Sequence, residues 1–114
     1  MTDLAIGAIE SSLDGLAARE RIIAQNLANA DTPGYIAGRV SFESSLQKAI
    51  ANGDPSQMSI STTSSTDPTN LNGNNVSVDS ESVSLTDTAL HYQLMTQAMN
   101  NVFHVLHDSM RRDL

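Results

Sequence analysis

No cysteine occurs in the 114 residues, which excludes disulfides, thiolate metal sites and thiol nucleophiles. A chain without thiols can serve on either side of a redox boundary, so this leaves the compartment open. Tryptophan is absent too, and two Phe and two Tyr make up all the aromatic content, too little for a dense aromatic core. Six basic residues stand against thirteen acidic ones, a net charge of −7 that argues against a surface built for nucleic-acid phosphates. No run is long and apolar enough to span a bilayer, so direct membrane insertion is not expected. The first basic residue is Arg19, and no apolar block precedes a cleavage site. The N-terminal segment is therefore not read as a secretory signal, and any exit from the cytoplasm would need another route.

What the chain does carry is a pair of matching apolar stripes, one towards each end. The first is Ile6, Ile9, Leu13, Leu16, Ile23, Leu27 and Ala30, with Glu20 in its one polar slot. The second is Leu85, Ala89, Tyr92, Met99, Phe103, Leu106 and Met110, with Thr96 in the polar slot. Both advance in alternating steps of three and four, the spacing of a coiled-coil seam. The expected fold is all-α: two long terminal helices packed as an antiparallel coiled coil, joined by a turn, a short helix and a polar loop. A flush antiparallel register would set Ile6 against Met110, Leu13 against Phe103, Glu20 against Thr96 and Leu27 against Ala89. The two polar slots would then form one layer that helps fix the register.

Four segments follow. Residues 1–31 are the N-terminal helix, with Asp3 near its positive end; a helix from about residue 3 to Ala30 would be roughly 40 Å long. Residues 32–51 hold a turn and a short helix. Thr32 precedes Pro33 and is pushed from helical geometry, Pro33-Gly34 suits the centre of a tight turn, and Phe42, Leu46 and Ile50 would share one helix face with Ser41 as cap. Residues 52–79 form a polar loop and an extended lead-in through Val76 and Val78. Twenty of residues 52–75 are Ser, Thr, Asn, Gly, Pro or Asp, a composition that alone cannot offset its ordering entropy by burial. Residues 80–114 carry the C-terminal helix, with Arg111 and Arg112 at its negative end.

A two-helix hairpin would leave apolar surface wet. Leu90, Leu94, Ala98, Val102 and Val105 lie beside the second stripe, and Ala5, Ala17, Ala18, Ala24 and Ala28 make the first helix narrow enough for close backbone approach. Further burial against neighbouring subunits is expected, which points to an assembly protein.

Chemistry is harder to find. His104, His107 and Asp108 fall on neighbouring turns with His91 farther along, and a His-x-x-His pair can ligate a metal. No third and fourth ligand stand nearby, so exposed helix residues are the plainer reading. Glu20 either titrates inside the seam or reaches solvent and pairs with Arg19 or Arg21. No Ser-His-Asp arrangement, phosphate loop or paired catalytic carboxylates can be picked out. The chain is read as no enzyme, with no cofactor, metal or small-molecule substrate.

The most specific segment is Asn26-Leu27-Ala28-Asn29-Ala30-Asp31-Thr32-Pro33-Gly34-Tyr35. Physically it is a helix stop: Asn26 and Asn29 can reach backbone groups, Asp31 and Thr32 can cap or turn the chain, Pro33-Gly34 redirects it, and Tyr35 anchors the exit. It closely resembles the signature near the N-terminus of flagellar axial proteins, the rod, hook and hook-associated subunits. Ala89-Leu90-His91-Tyr92-Gln93 resembles the start of their terminal helix, and Asn74-Asn75-Val76-Ser77-Val78-Asp79 is similar to the segment leading into it. The likeness covers residues 1–50 and 74–114 and is greatest to the proximal-rod members. The chain lacks the inserted domain of larger axial proteins, and its middle carries no resemblance.

The resemblance implies a structural subunit of the proximal rod in the flagellar basal body, part of the drive shaft that carries torque from motor ring to hook. It implies helical assembly with other rod subunits, and contact with the ring-to-rod adaptor protein, the motor (MS) ring and the export gate region. It also implies a rod crossing the periplasm, reached through the flagellar type III apparatus without a cleaved signal. Two other classes stay open on the residues alone: a free-standing coiled-coil adaptor or secretion-associated protein with one partner, and a small enzyme or metal protein using the His cluster.

Overall fold

The computed structural model describes residues 2–112. Met1 and residues 113–114, the outermost positions of the two expected terminal segments, lie outside them. The elements run α1 (Thr2–Ala28), β1 (Gly38–Ser41), α2 (Glu43–Ala51), a 3-10 turn (Pro55–Gln57), β2 (Ser61–Ser64) and α3 (Val78–Arg112). The molecule is a narrow rod of 67 × 26 × 14 Å. Two long helices with a short one between them match the expectation, but a small sheet is added.

Every other part packs on α1. Its apolar stripe faces α3, and a second face of small residues (Gly7, Ser11, Gly15, Ala18) receives the middle of the chain. The Ser11 hydroxyl donates to the Pro55 carbonyl at 3.0 Å, and Pro55 rests against Gly7. The Phe42 ring lies flat over Gly15. Leu16, Phe42 and Leu46 form the core, with Val40, Ile50, Met58 and Met95 packed against it. Two interior glycines cost helix stability, roughly 0.5–1 kcal/mol each, and the packing they admit is the return.

The polar middle is not a plain loop. Strand β2 pairs antiparallel with β1, Arg39 opposite Thr63 and Val40 opposite Thr62. The Ser45 hydroxyl accepts from Ser59 N at 2.8 Å, and Asp54 accepts from Ser56 N at 3.2 Å. These residues gain order through backbone hydrogen bonds to a strand that α1 holds in place, a source of stability that apolar counting misses. Ser41 belongs to β1 rather than capping α2. Phe42 takes the cap position with no side-chain bond, because its ring is committed to the core. Val78 likewise opens α3 instead of ending an extended stretch; the Ser77 hydroxyl accepts from Ser80 N at 3.3 Å in the usual N-cap manner.

Helices α1 and α3 run antiparallel, but not flush. Asn26 donates to Glu81 at 3.2 Å, and Leu16 shares the core with Met95. The flush register would have set Asn26 near Leu90 and Leu16 near Asn100, so α3 is displaced by roughly five to nine residues, or about 7–13 Å. Its C-terminal end therefore runs past the start of α1, beyond Asp3. Glu20 and Thr96 form no polar layer: both are exposed, and the Thr96 hydroxyl donates to Tyr92 O on its own helix. Heptad stripes align about equally well at several offsets, so the choice fell to the polar groups, and these are Asn26, Glu81 and Thr88, all buried.

Candidate assembly interface

The most tightly built part of the molecule is the end where α1 stops and α3 starts. Asn26 is fully buried and pairs with Gly38 on both sides, accepting from its N–H at 2.9 Å and donating to its carbonyl at 3.0 Å. One side-chain amide thus mimics a strand neighbour at the head of β1. A Cβ at Gly38 would come within 3.0 Å of Ile22, so the lack of a side chain lets β1 lie this close to α1.

Asn74 donates to the carbonyls of Asn29 and Thr32 at 2.9 and 2.8 Å, a second bond to each, since Asn29 O also accepts from Thr32 N and Thr32 O from Tyr35 N. Its own oxygen accepts from Val76 N at 2.7 Å. Asn75 accepts from Ala37 N at 2.7 Å and donates to the Asp67 carbonyl. Asn29 donates to Gln25 O and accepts from the Thr32 hydroxyl. Pro33-Gly34 forms the expected turn, closed by Tyr35 N to Thr32 O at 3.2 Å with Gly34 at φ 75°. It abuts a second turn: Gly34 N donates to Asn72 O at 2.9 Å, and Gly73, at φ 81°, lies so close that an added Cβ would sit 3.3 Å from Gly34 Cα. Asp31, Pro33 and Gly34 are exposed and Tyr35 is half-buried.

Two arginines brace this scaffold. Arg39 reaches Glu81 at 2.7 Å and Asp67 at 3.2 Å, tying β1 to the first turn of α3; Glu81 is only 2 % exposed. Arg19 donates to Val40 O at 2.9 Å, pairs with Glu43 at 2.6 Å and lies 4.9 Å over the Phe42 ring. Glu43 rather than Glu20 is therefore its acidic partner. The Arg19 hydrogen bond holds the Glu43 carboxyl below its usual value of 4.5, against a smaller opposing effect of burial. A lowered folded pKa means that the stabilisation is present above about pH 4.5 and is lost as pH falls through the folded value. Glu43 is largely exposed, so the effect is small. The melting temperature of Glu43→Gln is expected to fall less steeply than that of the parent below pH 4.5. Parallel curves would mean that the pair contributes nothing.

The predicted pairing residues divide. Leu16 and Ile23 are buried, and Ile6, Ile9, Leu13, Leu27, Leu85, Ala89 and Met99 are half-buried. Tyr92, Phe103, Leu106 and Met110 are exposed, as are Val83, Leu90, Leu94 and Val105 on the other flank of α3. The inner face of α3 instead uses Glu81, Thr88, Met95 and Val102. His91 and His104 stand on the surface beside Asp87 and Asp108 at 3.9 and 3.2 Å. Among the described residues no three His, Asp or Glu side chains converge as a metal site would need. Sequence reasoning passed over Asn74, Asn75, Arg39 and Glu81 as site residues. Only the pair of buried-type amides next to a helix start hinted at them.

Comparison with known proteins agrees with this architecture. Residues 11–35, the core-facing part of α1 and the turn, match the family model described as flagella basal body rod protein. The flagellar basal body rod protein FlgB of Borreliella burgdorferi is 32% identical over 113 residues, covering 80% of this chain and 84% of that protein. FlgB of Escherichia coli is 31% identical over 119 residues, and FlgB of Bacillus subtilis 33% over 111, each with 86% of both chains covered. With its two terminal helices, its signature turn and a likeness spanning nearly its whole length, this chain belongs to the FlgB family of flagellar basal body rod proteins.

Proposed function

We propose that the chain is a structural subunit of the bacterial flagellar basal-body rod and carries out no catalysis. One observation carries the reading beyond family membership: α3 exposes two sets of large apolar side chains, Val83, Leu90, Leu94 and Val105 on one flank and Tyr92, Phe103, Leu106 and Met110 on another, that this chain does not cover. Exposed apolar surface of that extent marks an interaction site. The rod is the proximal one, and subunits pack with helical symmetry through heterologous contacts that transmit torque from motor ring to hook. Neighbouring helices complete the coiled-coil seams that Phe103, Leu106 and Met110 leave open. The turn of Asn29 to Tyr35, rigid and exposed, meets the next component. Partners are other rod subunits, the ring-to-rod adaptor, the MS ring and the export gate region, reached by type III export.

Deleting the gene in its own host is expected to abolish rods, hooks and swimming, and a tagged copy is expected to restore them and co-purify with basal bodies. Normal swimming without the gene would sink the reading. Free in dilute solution, the chain is expected to be a monomer whose distal α3 frays while the turn end stays folded, read by circular dichroism and light scattering. A stable, fully helical dimer would favour the adaptor reading instead.

A further inference from the structure

Two Asn-Gly pairs stand in the polar middle of the chain, Asn52-Gly53 and Asn72-Gly73. Asparagine is chemically labile, and a following glycine puts no side chain in the way of its own backbone nitrogen. In such a pair a base removes the glycine N–H proton, and the nitrogen attacks the asparagine Cγ. The N–Cγ bond forms, the Cγ–Nδ2 bond breaks, and ammonia leaves with a proton taken from water. Water then opens the cyclic imide at one of its two carbonyls. One product is aspartate. The other is isoaspartate, in which the main chain runs through Cγ and is longer by one atom.

The structure holds the two pairs differently. Both glycine nitrogens are engaged, Gly53 N donating to Ile50 O and Gly73 N to Asn70 O, each at 2.9 Å. Asn52 is otherwise secured by its own helix end: its N–H donates to Lys48 O at 3.0 Å, and its side chain is exposed. Fraying the last turn of α2 frees it. Asn72 is fastened to distant parts of the chain. Its carbonyl accepts from Gly34 N at 2.9 Å and its side-chain oxygen from Asn74 N at 3.1 Å, while Asn74 itself holds Asn29 O and Thr32 O. Ring closure at Asn72 therefore needs the turn end to open. A longer main chain would not fit there, because even a Cβ on Gly73 would stand 3.3 Å from Gly34 Cα.

We propose that Asn72-Gly73 is a self-modification site gated by the turn end. While that end is closed, the pair is protected. In a chain left open, Asn72 converts to isoaspartate, and the added main-chain atom displaces Asn74 from the two carbonyls it holds, so the end no longer closes. The reaction needs only water and base. It retires chains that wait unfolded, whatever structure they would join, and so does not depend on the rod reading.

The purified chain would be kept in mildly alkaline buffer with and without urea, and deamidation at each pair followed by peptide mass spectrometry. An isoaspartyl carboxyl methyltransferase with a labelled methyl donor would score isoaspartate. In urea the two pairs are expected to react at similar rates. In native buffer Asn72 is expected to slow by about tenfold or more, and Asn52 by much less. Asn74→Ala is expected to return Asn72 to the urea rate while Asn52, read in the same sample, keeps its native rate. Should Asn74→Ala unfold the whole chain, both sites accelerate together, and the parent's own protection and melts still decide. Chain carrying isoaspartate at position 72 is expected to lose the parent's cooperative melt, whereas Asn72→Asp keeps it, since its carboxylate still accepts from Asn74 N. Equal rates at Asn72 with and without urea, equal protection of Asn52 and Asn72, or a parent-like melt of the isoaspartyl chain would overturn the proposal.

Discussion

Asn26→Asp is expected to unfold the turn end of the molecule at neutral pH. The change is almost isosteric, but it replaces an amide that donates to Gly38 O at 3.0 Å and to Glu81 at 3.2 Å with a second carboxylate at the same place. Asn26 is 0 % and Glu81 2 % exposed, so neither charge can be hydrated. An uncompensated buried charge costs about 3–5 kcal/mol, a large part of the 5–15 kcal/mol that small domains have in all. At ~4–8 °C per kcal/mol, the cooperative melt should drop by more than ten degrees or vanish. Acid should restore part of the loss, since one protonated carboxyl can again donate to the other. Asn26→Ala serves as the comparison, losing the bonds without adding charge. Thermal melts at pH 7 and pH 5 decide it. A parent-like melt at pH 7 would mean that the amide does not hold the helix ends together.

Gly15→Ala should destabilise through the opposite kind of fault, too much matter rather than the wrong charge. An added methyl carbon would stand 2.5–2.6 Å from three atoms of the Phe42 ring. The ring cannot simply slide, since Arg19 covers it and Leu46 packs beside it. Overpacking of this kind costs about 1–3 kcal/mol, although alanine is worth up to about 1 kcal/mol more than glycine in a bare helix. The sign of the effect should therefore reverse when the ring is removed: in a Phe42→Ala background, Gly15→Ala should stabilise. Phe42→Ala alone is expected to cost about 3–5 kcal/mol. If Gly15→Ala is harmless with the ring in place, the close approach of Phe42 to α1 is not constrained at this position.

These two residues also mark how far the fold could be read in advance. Apolar spacing identified α1 and α3, and Pro33-Gly34 identified the turn, because hydrophobic period and backbone chirality act locally. The register of α3 was not legible, since Leu27 on Ala89 and Asn26 on Glu81 satisfy similar stripes and only a buried polar bond chooses between them. The small sheet was hidden for a related reason. Nothing apolar marks Ser61 to Ser64 as a strand, and it forms because β1 is already anchored by Asn26 and Arg19. Gly7, Ser11, Gly15 and Ala18 were the one available sign that α1 has a second packed face. Of the candidate interface, the exposed flanks of α3 could be foreseen from its surplus of Leu and Val, whereas the asparagine bonds at the turn end could not.

The long reach of those bonds has a consequence in time. Asn26 waits for a partner 55 residues later, and the carbonyl of Asn29 for one 45 residues later. Closing such loops is entropically slow compared with local helix formation. A chain emerging from its N-terminus first can cover the small-residue face of α1 with Gly38, Phe42 and Pro55, but the apolar stripe of α1 waits for α3. Until Glu81 arrives the two long helices cannot latch to each other, and the protein lacks its longest-range bonds for most of its passage through any narrow opening.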